Sequence, residues 1–467
     1  MYSVGLKDYD GFSGFGFSTV EEQQNLAKAL SAGYQTPPYA GGSALRVESL
    51  EATMRVVTFT EEHLKITKKL TKQPAYSTVE EFTRLTSYGR RSGGFTREGE
   101  LGQSQDSSFE RLTGLIKFLC TQREVTHPMM LVKPAHGEAV AIETKNAALW
   151  LLELLERAVF FGYSNMVAEE FDGILTQMLS DNGAAANNVI DLRGTAITQD
   201  TVEDAAQVIV DNFGRPSTLY LANKAITDYS KQLYPKERFN YPFPANGVAG
   251  LAITAQSTNA GIVEFSPNIF LRSQSVDGTR GAPITATSPR APTAPTVAGA
   301  AAAGISSQFV TADIGTYQYK VTAENRFGET AFAQESGGVA VAAAGDGVDL
   351  TITDGGGTET ATAYRVYRSR VGGAVGTEEF ISRVKRIGAS ATTVFRDTNA
   401  FLPGTSTAFM LQENVENIAL KQLLPMMKMA LAQVAISVRW AQLIYAALFL
   451  YTPRKNFIIR NVLDNPA

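Results

Sequence analysis

Few residues of this sequence could carry chemistry by their type and spacing. The chain contains three histidines, His63, His127 and His136, and none has a second histidine or a carboxylate four positions away. A metal site or a general base needs such a partner, so isolated histidines are more often structural. The only cysteine, Cys120, follows an apolar Phe-Leu pair, which predicts a buried and unreactive thiol. These residues predict no metal site and no catalytic centre.

Paired acidic residues are the other candidates for chemistry, and there are four such pairs: Glu61-Glu62, Glu80-Glu81, Glu169-Glu170 and Glu378-Glu379. Adjacent residues point in different directions on a helix or a strand, so we expect solvated faces rather than shared sites. The sequence also lacks a phosphate-binding glycine loop, a nucleophile elbow and a dinucleotide fingerprint. It predicts a structural protein without a cofactor; the remaining enzymatic alternative is a hydrolase that lacks a recognisable motif.

Length and charge exclude several classes of protein. The 467 residues are enough for about three folded units of roughly 150 residues each. The net charge of -4 lacks the positive field with which dedicated DNA-binding proteins neutralise phosphates. A single cysteine cannot form an intrachain disulfide, which favours a reducing compartment, and we expect no signal peptide. The apolar stretch 429–451 contains Arg439 and alternates as a strand does, so we predict no membrane span.

Two segments near the N-terminus have the composition of surfaces that bind a neighbour. Residues 1–49 are rich in Gly, Tyr, Phe and Ser and too short for a core of their own, which predicts an arm that packs on another surface. Residues 77–115 are polar, interrupted by glycine and charged with both signs. A segment of that length predicts an extended hairpin laid across a partner, the alternative being a mobile surface loop.

Hydrophobic periodicity predicts an α+β body around these segments. The predicted helices and strands are a strand at 64–70, a helix at 143–161, a short segment at 171–178, a helix at 202–213, a strand at 218–221, a helix at 223–233, a helix at 415–424, and strands at 443–451 and 456–462.

The composition changes between residues 279 and 405. Residues 279–304 form a stretch of Ala, Pro, Thr and Gly typical of a linker. From Phe309 to Phe395, short runs with a period of two are separated by Gly-rich turns, which predicts a small β-sandwich of about 100 residues. Because the α+β pattern resumes afterwards, the sandwich is predicted to be an inserted, independent module whose removal would preserve assembly.

Several of these segments resemble a known family. They are Leu151 to Gly162 followed by Glu-Phe-Asp-Gly-Ile at 170–174, then residues 211–225, then residues 448–462. Together with the arm and the charged loop, their order resembles the major capsid proteins of tailed bacteriophages (the Johnson or Hong Kong 97-type fold) over residues 1–278 and 406–467. Residues 317–330, 363–368 and 395–397 separately resemble a fibronectin type III or immunoglobulin-like module, and without a cysteine pair the fibronectin-like kind fits better.

The resemblance implies an α+β capsid fold with an inserted all-β sandwich. The implied domains are an N-terminal arm (1–49), a peripheral-domain strand region (50–76), an extended loop (77–115), a peripheral domain with a spine helix (116–186), an axial domain (187–278), a linker with the inserted sandwich (279–405), and a return to the axial and peripheral domains (406–467).

The resemblance also implies function and partners. Subunits would form hexamers and pentamers that contact neighbouring capsomers and close an icosahedral shell in the virion, assembled in the host cytoplasm. Packaged double-stranded DNA would be bound non-specifically, and a separate scaffolding protein and a portal would take part. The insert would bind a decoration protein, a host-surface glycan or nothing. The implied contact residues are Arg90, Arg91, Arg97, Glu98 and Glu100 in the loop and Phe12, Phe15 and Phe17 in the arm.

Two alternatives remain from the sequence. An encapsulin-like nanocompartment shell would share the fold and enclose a cargo enzyme. A tail or adhesion protein would bind carbohydrate through the β-sandwich and form small, open oligomers.

The charged loop generates a first prediction. Arg90→Glu combined with Arg91→Glu should impair shell assembly and leave the subunit folded, because the charges of the loop are expected to meet a neighbouring subunit. Electron microscopy of particles together with circular dichroism of the subunit measures both effects, and normal particles from the double variant would contradict it.

Overall fold

A computed structural model describes residues 58–89, 94–132, 137–180, 188–233, 253–272, 288–334, 337–388, 392–433 and 435–464. The chain divides into two compact units. One comprises Met1–Arg55 and Val132–Glu138, and only three of its residues are among those described. The other comprises Val56–Leu131 and Ala139–Ala467 and contains all the elements considered below.

Six α-helices lie in the described residues: α1 Ile66–Lys69, α2 His127–Leu131, α3 Ala139–Phe161, α4 Ile174–Ser180, α5 Gln199–Asp211 and α6 Asn223–Leu233. The long helix α3 forms because Ala147, Leu151, Leu155 and Val159 recur every four residues, and all four are buried. It ends at Gly162, where a Cβ atom would lie 2.3 Å from a backbone oxygen of the returning chain. The predicted helices at 143–161, 202–213 and 223–233 are confirmed.

The described strands fall into three groups along the chain. The first group is β1 Lys72–Pro74, β2 Val79–Ser87, β3 Ser108–Leu115, β4 Lys117–Thr126, β5 Val189–Asp191, β6 Thr218–Leu221, β7 Ala255–Thr258 and β8 Gly261–Pro267. The second is β9 Thr296–Ala302, β10 Gly315–Tyr317, β11 Tyr319–Asn325, β12 Gly328–Glu329, β13 Ala333–Gln334, β14 Val339–Val341, β15 Gly347–Thr353, β16 Ala363–Arg368, β17 Glu379–Lys385 and β18 Thr392–Asp397. The third is β19 Thr405–Leu411, β20 Ile418–Ala430, β21 Ser437–Leu450 and β22 Phe457–Leu463.

Two sheets form the α+β part of the molecule. The first has the order β1-β20-β21-β4 and packs against α3, with Leu155 and Val159 of the helix and Ile444 of β21 in one core. The second has the order β5-β22-β19-β6-β8-β7, and α5 and α6 help to form its core. Phe160 joins the two parts, because its ring lies 5.3 Å from that of Phe409 on β19.

A buried carboxylate on α3 connects three segments that are distant in sequence. Glu156 is fully buried, and its Oε1 accepts hydrogen bonds of 2.9 Å from the backbone N–H groups of Lys65 and Ile66. Its Oε2 accepts from the N–H (3.0 Å) and the hydroxyl (2.7 Å) of Thr67. The Asn268 amide donates to Oε1 at 2.8 Å from the chain that follows β8. Five donors therefore compensate the desolvation of one charge.

Two of the predicted elements are wrong. Residues 64–70 are not a strand, because the three N–H groups that a sheet would need are occupied by Glu156, and Ile66–Lys69 turn into α1. Residues 415–424 are not a helix, because residues 418–424 are already part of β20, which lies between β1 and β21. Ile418, Ala419 and Leu420 are buried in succession, and such a run does not distinguish a central strand from a helix.

The two C-terminal strands are present, but they do not form a pair. β21 pairs with β20 and β4 in the first sheet, whereas β22 pairs with β19 and β5 in the second. The apolar stretch 429–451 is thus largely strand β21. Among the helices in the described ranges, none is long and apolar enough to cross a bilayer.

Strands β9 to β18 form an all-β unit with a core of its own. One sheet has the order β18-β15-β9, and another has the order β12-β11-β16-β17 with β13 also on β11. Leu350 and Ile352 of the first sheet and Val321 and Val366 of the second lie in a common core. The separate core is consistent with the predicted insertion, but the predicted linker at 279–304 is wrong in part, because β9 pairs with β15 in the sheet. The assignment to the fibronectin or immunoglobulin type stays a prediction.

The burial of Glu156 generates a stability prediction. Glu156→Leu should lower the free energy of unfolding by about 3–5 kcal/mol, because it leaves five donors without their acceptor. Urea denaturation of the unassembled subunit measures the change. Glu143→Leu on the same helix is the matched control, since Glu143 is part-exposed and lies 3.7 Å from Arg123; it should change stability by about 0.5 kcal/mol or less. Equal losses in the two variants would contradict the special role of Glu156.

Candidate intersubunit surface

Residues 79–115 contain an antiparallel hairpin formed by β2 and β3. The register pairs Val79 with Leu115 at the base and Leu85 with Phe109 toward the tip, and the structure describes the connecting residues except 90–93. The predicted extended hairpin is present in this part of the chain.

The base of the hairpin is fixed by Glu80. Its carboxylate accepts a hydrogen bond of 2.9 Å from Lys421 Nζ on β20 and bonds of 2.9 and 3.1 Å from the N–H groups of Tyr76 and Ser77. The hydrogen bond from Lys421 is the main reason that the pKa of Glu80 is lowered. The ion pair between Glu80 and Lys421 therefore persists down to a pH below the ordinary pKa of a glutamate side chain.

The inner face of the hairpin lies on aromatic rings of the body. Phe82 meets Phe449 and Tyr451 edge to face, with ring centroids 5.9 and 4.9 Å apart. Gly114 on the paired strand approaches the same surface so closely that a Cβ atom would lie 2.5 Å from the Phe449 ring. Only a residue without a side chain permits this contact.

The outer face carries apolar side chains that no described part of the chain covers. Cross-strand pairs stand at both ends of the face, Val79 with Leu115 and Leu85 with Phe109, and the exposed fractions of the second pair are 40 and 67%. Between the pairs, Arg111 forms an ion pair with Glu81 on the neighbouring strand. An exposed face of two apolar pairs around a charged centre is suited to contact with another protein surface.

The end of the hairpin carries both the predicted charged residues and apolar residues that the prediction missed. Arg97, Glu98 and Glu100 are exposed and lie in one turn, closed by a 3.0 Å hydrogen bond from the N–H of Glu100 to the carbonyl of Arg97. Phe95 and Leu101 flank this turn and are fully exposed. Isolated apolar residues in a polar segment have no periodicity, so only their exposure in the structure identifies them.

A groove of about 690 Å³ separates part of the hairpin from the body. Leu112 and Thr113 of β3 line one side, and Ala168, Asp172 and Gln177 line the other. The hairpin is thus held at its base and along the Phe449 contact, and it overhangs the chain that follows α3.

The remaining candidate contact residues lie outside the described residues. These are Phe12, Phe15 and Phe17 of the arm and Arg90 and Arg91 of the loop. They stay predictions.

The structure corrects two expectations about single residues. Cys120 is exposed on β4, because its side chain points to the open face of the sheet, and partial burial raises the pKa of its thiol. The paired acids are not all solvated faces, since Glu378 is buried in an ion pair of 3.0 Å with Lys320. Glu80 and Glu170 also hold distant segments together.

Within the described residues, no group of three or more His, Cys, Asp or Glu could hold a metal ion.

Comparison of the sequence with those of known proteins finds relatives of one kind. No family model matches the chain. The major capsid protein of Staphylococcus phage S25-3 is 25% identical over 454 residues, which cover 94% of this chain and 95% of the relative. A putative major capsid protein of Enterococcus phage phiEF24C is 26% identical over the same shares. This chain is similar to phage major capsid proteins along nearly its whole length.

Solved structures show a weaker likeness. The capsid of a native GTA particle has a TM-score of 0.44 at 10% identity, and the match covers 93% of this chain and 100% of that chain. An encapsulin from Synechococcus elongatus has a TM-score of 0.43 at 9% identity, covering 92 and 99%.

The close approach of Gly114 generates a prediction about the hairpin. Gly114→Ala should displace β3 from Phe449, because overpacking of this size costs about 1–3 kcal/mol. We expect about tenfold faster hydrogen exchange of the β2 and β3 amides, measured by mass spectrometry. Gly102→Ala is the control, since its Cβ would meet only a methyl group of Thr96 at 3.9 Å. Equal protection in both variants would contradict the close approach.

Proposed function

We propose that this chain is a phage major capsid protein whose copies form the hexamers and pentamers of an icosahedral shell around double-stranded DNA. The observation that carries the proposal is the similarity to proteins named major capsid proteins over 94% of this chain. The shell places the protein in the virion capsid, with assembly in the host cytoplasm.

The hairpin supports a role in self-association. Its base is fixed to the body through Glu80 and Lys421, and its outer face leaves Leu85 and Phe109 exposed. An anchored hairpin with uncovered apolar pairs is suited to reach over another copy of the chain. A contact of ordinary size, about 1,600 Å², becomes collectively strong when a closed shell repeats it many times.

The layout of the body supports a Hong Kong 97-type assignment. In this proposal, residues 77–115 are the extended loop, 116–186 the peripheral domain with α3 as its spine helix, and 187–278 and part of 406–467 the axial domain. The supporting features are a long helix packed on a four-stranded sheet and a six-stranded sheet with two helices. Residues 1–49 would be an arm beneath a neighbouring subunit.

The all-β unit within 279–405 is proposed to be a fibronectin type III or immunoglobulin-like sandwich on the outer surface of the shell. Its antiparallel sheets and separate core support this assignment. On the outside it could bind a decoration protein or a host-surface glycan. Because the aligned region spans 94% of this chain, most of this unit lies within the part matched to the phage relatives.

The remaining partners follow from the proposed role. A net charge of -4 is compatible with a container that holds DNA without binding it tightly. A separate scaffolding protein and a portal would complete assembly. The similarity to phage proteins favours this role over an encapsulin-like compartment and over a tail or adhesion protein.

Electron microscopy of the purified chain tests the proposal directly. The recombinant protein is imaged by negative stain, alone and after co-expression with a scaffolding protein from the same genome, and its mass is measured by light scattering. Closed shells or hexameric capsomers are expected. A species that stays monomeric or trimeric with scaffold present would contradict the proposal and favour adhesion, and a co-purifying cargo enzyme would favour the encapsulin-like alternative.

The outer face of the hairpin generates a specific prediction. Phe109→Glu should leave the subunit folded, because the side chain is already exposed, and should prevent closed shells by placing a charge in a contact between copies. Val394→Glu on β18 is the control, since it changes an exposed apolar side chain on the all-β unit. Counts of closed particles in electron micrographs compare the two variants, and equal assembly would argue against the hairpin as a contact surface.

A further inference from the structure

Among the described residues, two groups of hydrogen bonds and ion pairs connect the all-β unit to the body. The first lies between this unit and the loop that follows α3. Arg383 on β17 donates to Glu170 with Nη1 at 3.2 Å and Nη2 at 3.4 Å. Lys385 on the same strand donates to Asn165, and Arg326 lies 3.5 Å from Glu169.

The second contact lies at the edge of the six-stranded sheet. Arg193, just after β5, donates from Nη1 to the Asn399 carbonyl at 2.7 Å and from Nη2 to the Gln308 carbonyl at 2.8 Å. Asn461 of β22 accepts from the N–H of Leu402 at 3.1 Å and donates to the Ala400 carbonyl at 3.0 Å. This contact fixes the stem through which the chain returns to the body.

Glu170 is the outermost member of a series of charged side chains that continues into the interior of the all-β unit. Arg383 also donates to Glu324, whose other oxygen accepts from Arg365 at 2.5 Å, and Arg365 lies 3.5 Å from Glu329. Glu324, Arg365 and Glu329 are buried. Burial alone would raise the pKa of Glu324, but the two arginines lower it to about 2. The charges thus alternate from the interior of the all-β unit to the body.

We propose that the all-β unit is a brace that holds the loop after the long helix to the six-stranded sheet, with Glu170 and Arg193 as its two attachment points. Phe171 of the loop lies in the core around α3, and Ile459 and Val462, which flank Asn461, lie in the core that α5 and α6 help to form. The brace contrasts with the prediction, made from the sequence, of an independent module whose removal would preserve assembly. The inference concerns the folded subunit and does not depend on the proposed capsid function.

The ion pair of Arg383 with Glu170 differs in exposure from the neighbouring pair of Arg326 with Glu169, which provides a matched control. The side chain of Arg383 is 12% exposed and that of Glu170 34%, whereas Arg326 and Glu169 are both more than half exposed. Exposed ion pairs contribute little to stability, and partly buried ones with good geometry contribute more. Glu169→Gln therefore changes the adjacent residue without breaking the brace.

Hydrogen exchange of the full-length chain tests the brace. In Glu170→Gln combined with Arg193→Gln, amide exchange in residues 163–173 and in β17 should be about tenfold faster than in the natural chain. Glu169→Gln should stay within about twofold. All variants are compared in the same assembly state, as verified by light scattering. Unchanged exchange in the double variant would overturn the proposal, and so would equal acceleration in Glu169→Gln.

The salt dependence of hydrogen exchange in the natural chain is a second test, which applies even if the double variant fails to fold. Because the brace is held by charges that solvent partly reaches, raising NaCl from about 0.05 to about 1 M should accelerate exchange in residues 163–173 of the natural chain. Residues 147–159 of α3 should keep their protection, because Leu151, Leu155 and Val159 are buried in an apolar core and salt does not reach the fully buried Glu156. Salt-independent exchange in the loop would overturn the proposal.

Discussion

The burial of Glu156 is the constraint on which the arrangement of the body depends. A carboxylate in an apolar core is tolerable only when every oxygen is hydrogen-bonded, so the five donors of Lys65, Ile66, Thr67 and Asn268 must all be in place. Those donors belong to the chain that leads into β1 and the hairpin and to the chain that follows β8. The position of the hairpin and the packing of α3 against the second sheet are thereby linked through a single side chain.

Two kinds of contact hold the chain together. Contacts within the chain use close apolar packing where elements are fixed, as between Gly114 and Phe449, and hydrogen-bonded charges where distant segments meet, as between Arg383 and Glu170. On the outer face of the hairpin, the apolar side chains of Leu85 and Phe109 are left exposed by the described part of the chain. Apolar area that the subunit leaves exposed is the area that association with another copy can bury, which makes self-association favourable.

The elements that sequence predicted correctly are those whose periodicity is local. The helical spacing of apolar residues within 143–161 and within 202–213 is sufficient to predict α3 and α5, because a helix satisfies its own backbone. The errors at 64–70 and 415–424 have a common cause, since in both cases a distant partner occupies the backbone. Glu156 takes the N–H groups of the first segment, and β1 and β21 pair with the strand into which the second leads.

The sequence by itself determined the α+β character, a long helix that ends at Phe161, the polar hairpin segment and an all-β unit beyond Phe309, since each depends on composition or on spacing of a few residues. Only the tertiary structure decided which charged side chains hold distant segments of the chain together. Glu156 meets Lys65 across 91 positions, and Arg383 meets Glu170 across 213. Such pairs have no local pattern, because a charge in the sequence looks the same whether the fold buries it beside a partner or leaves it in water.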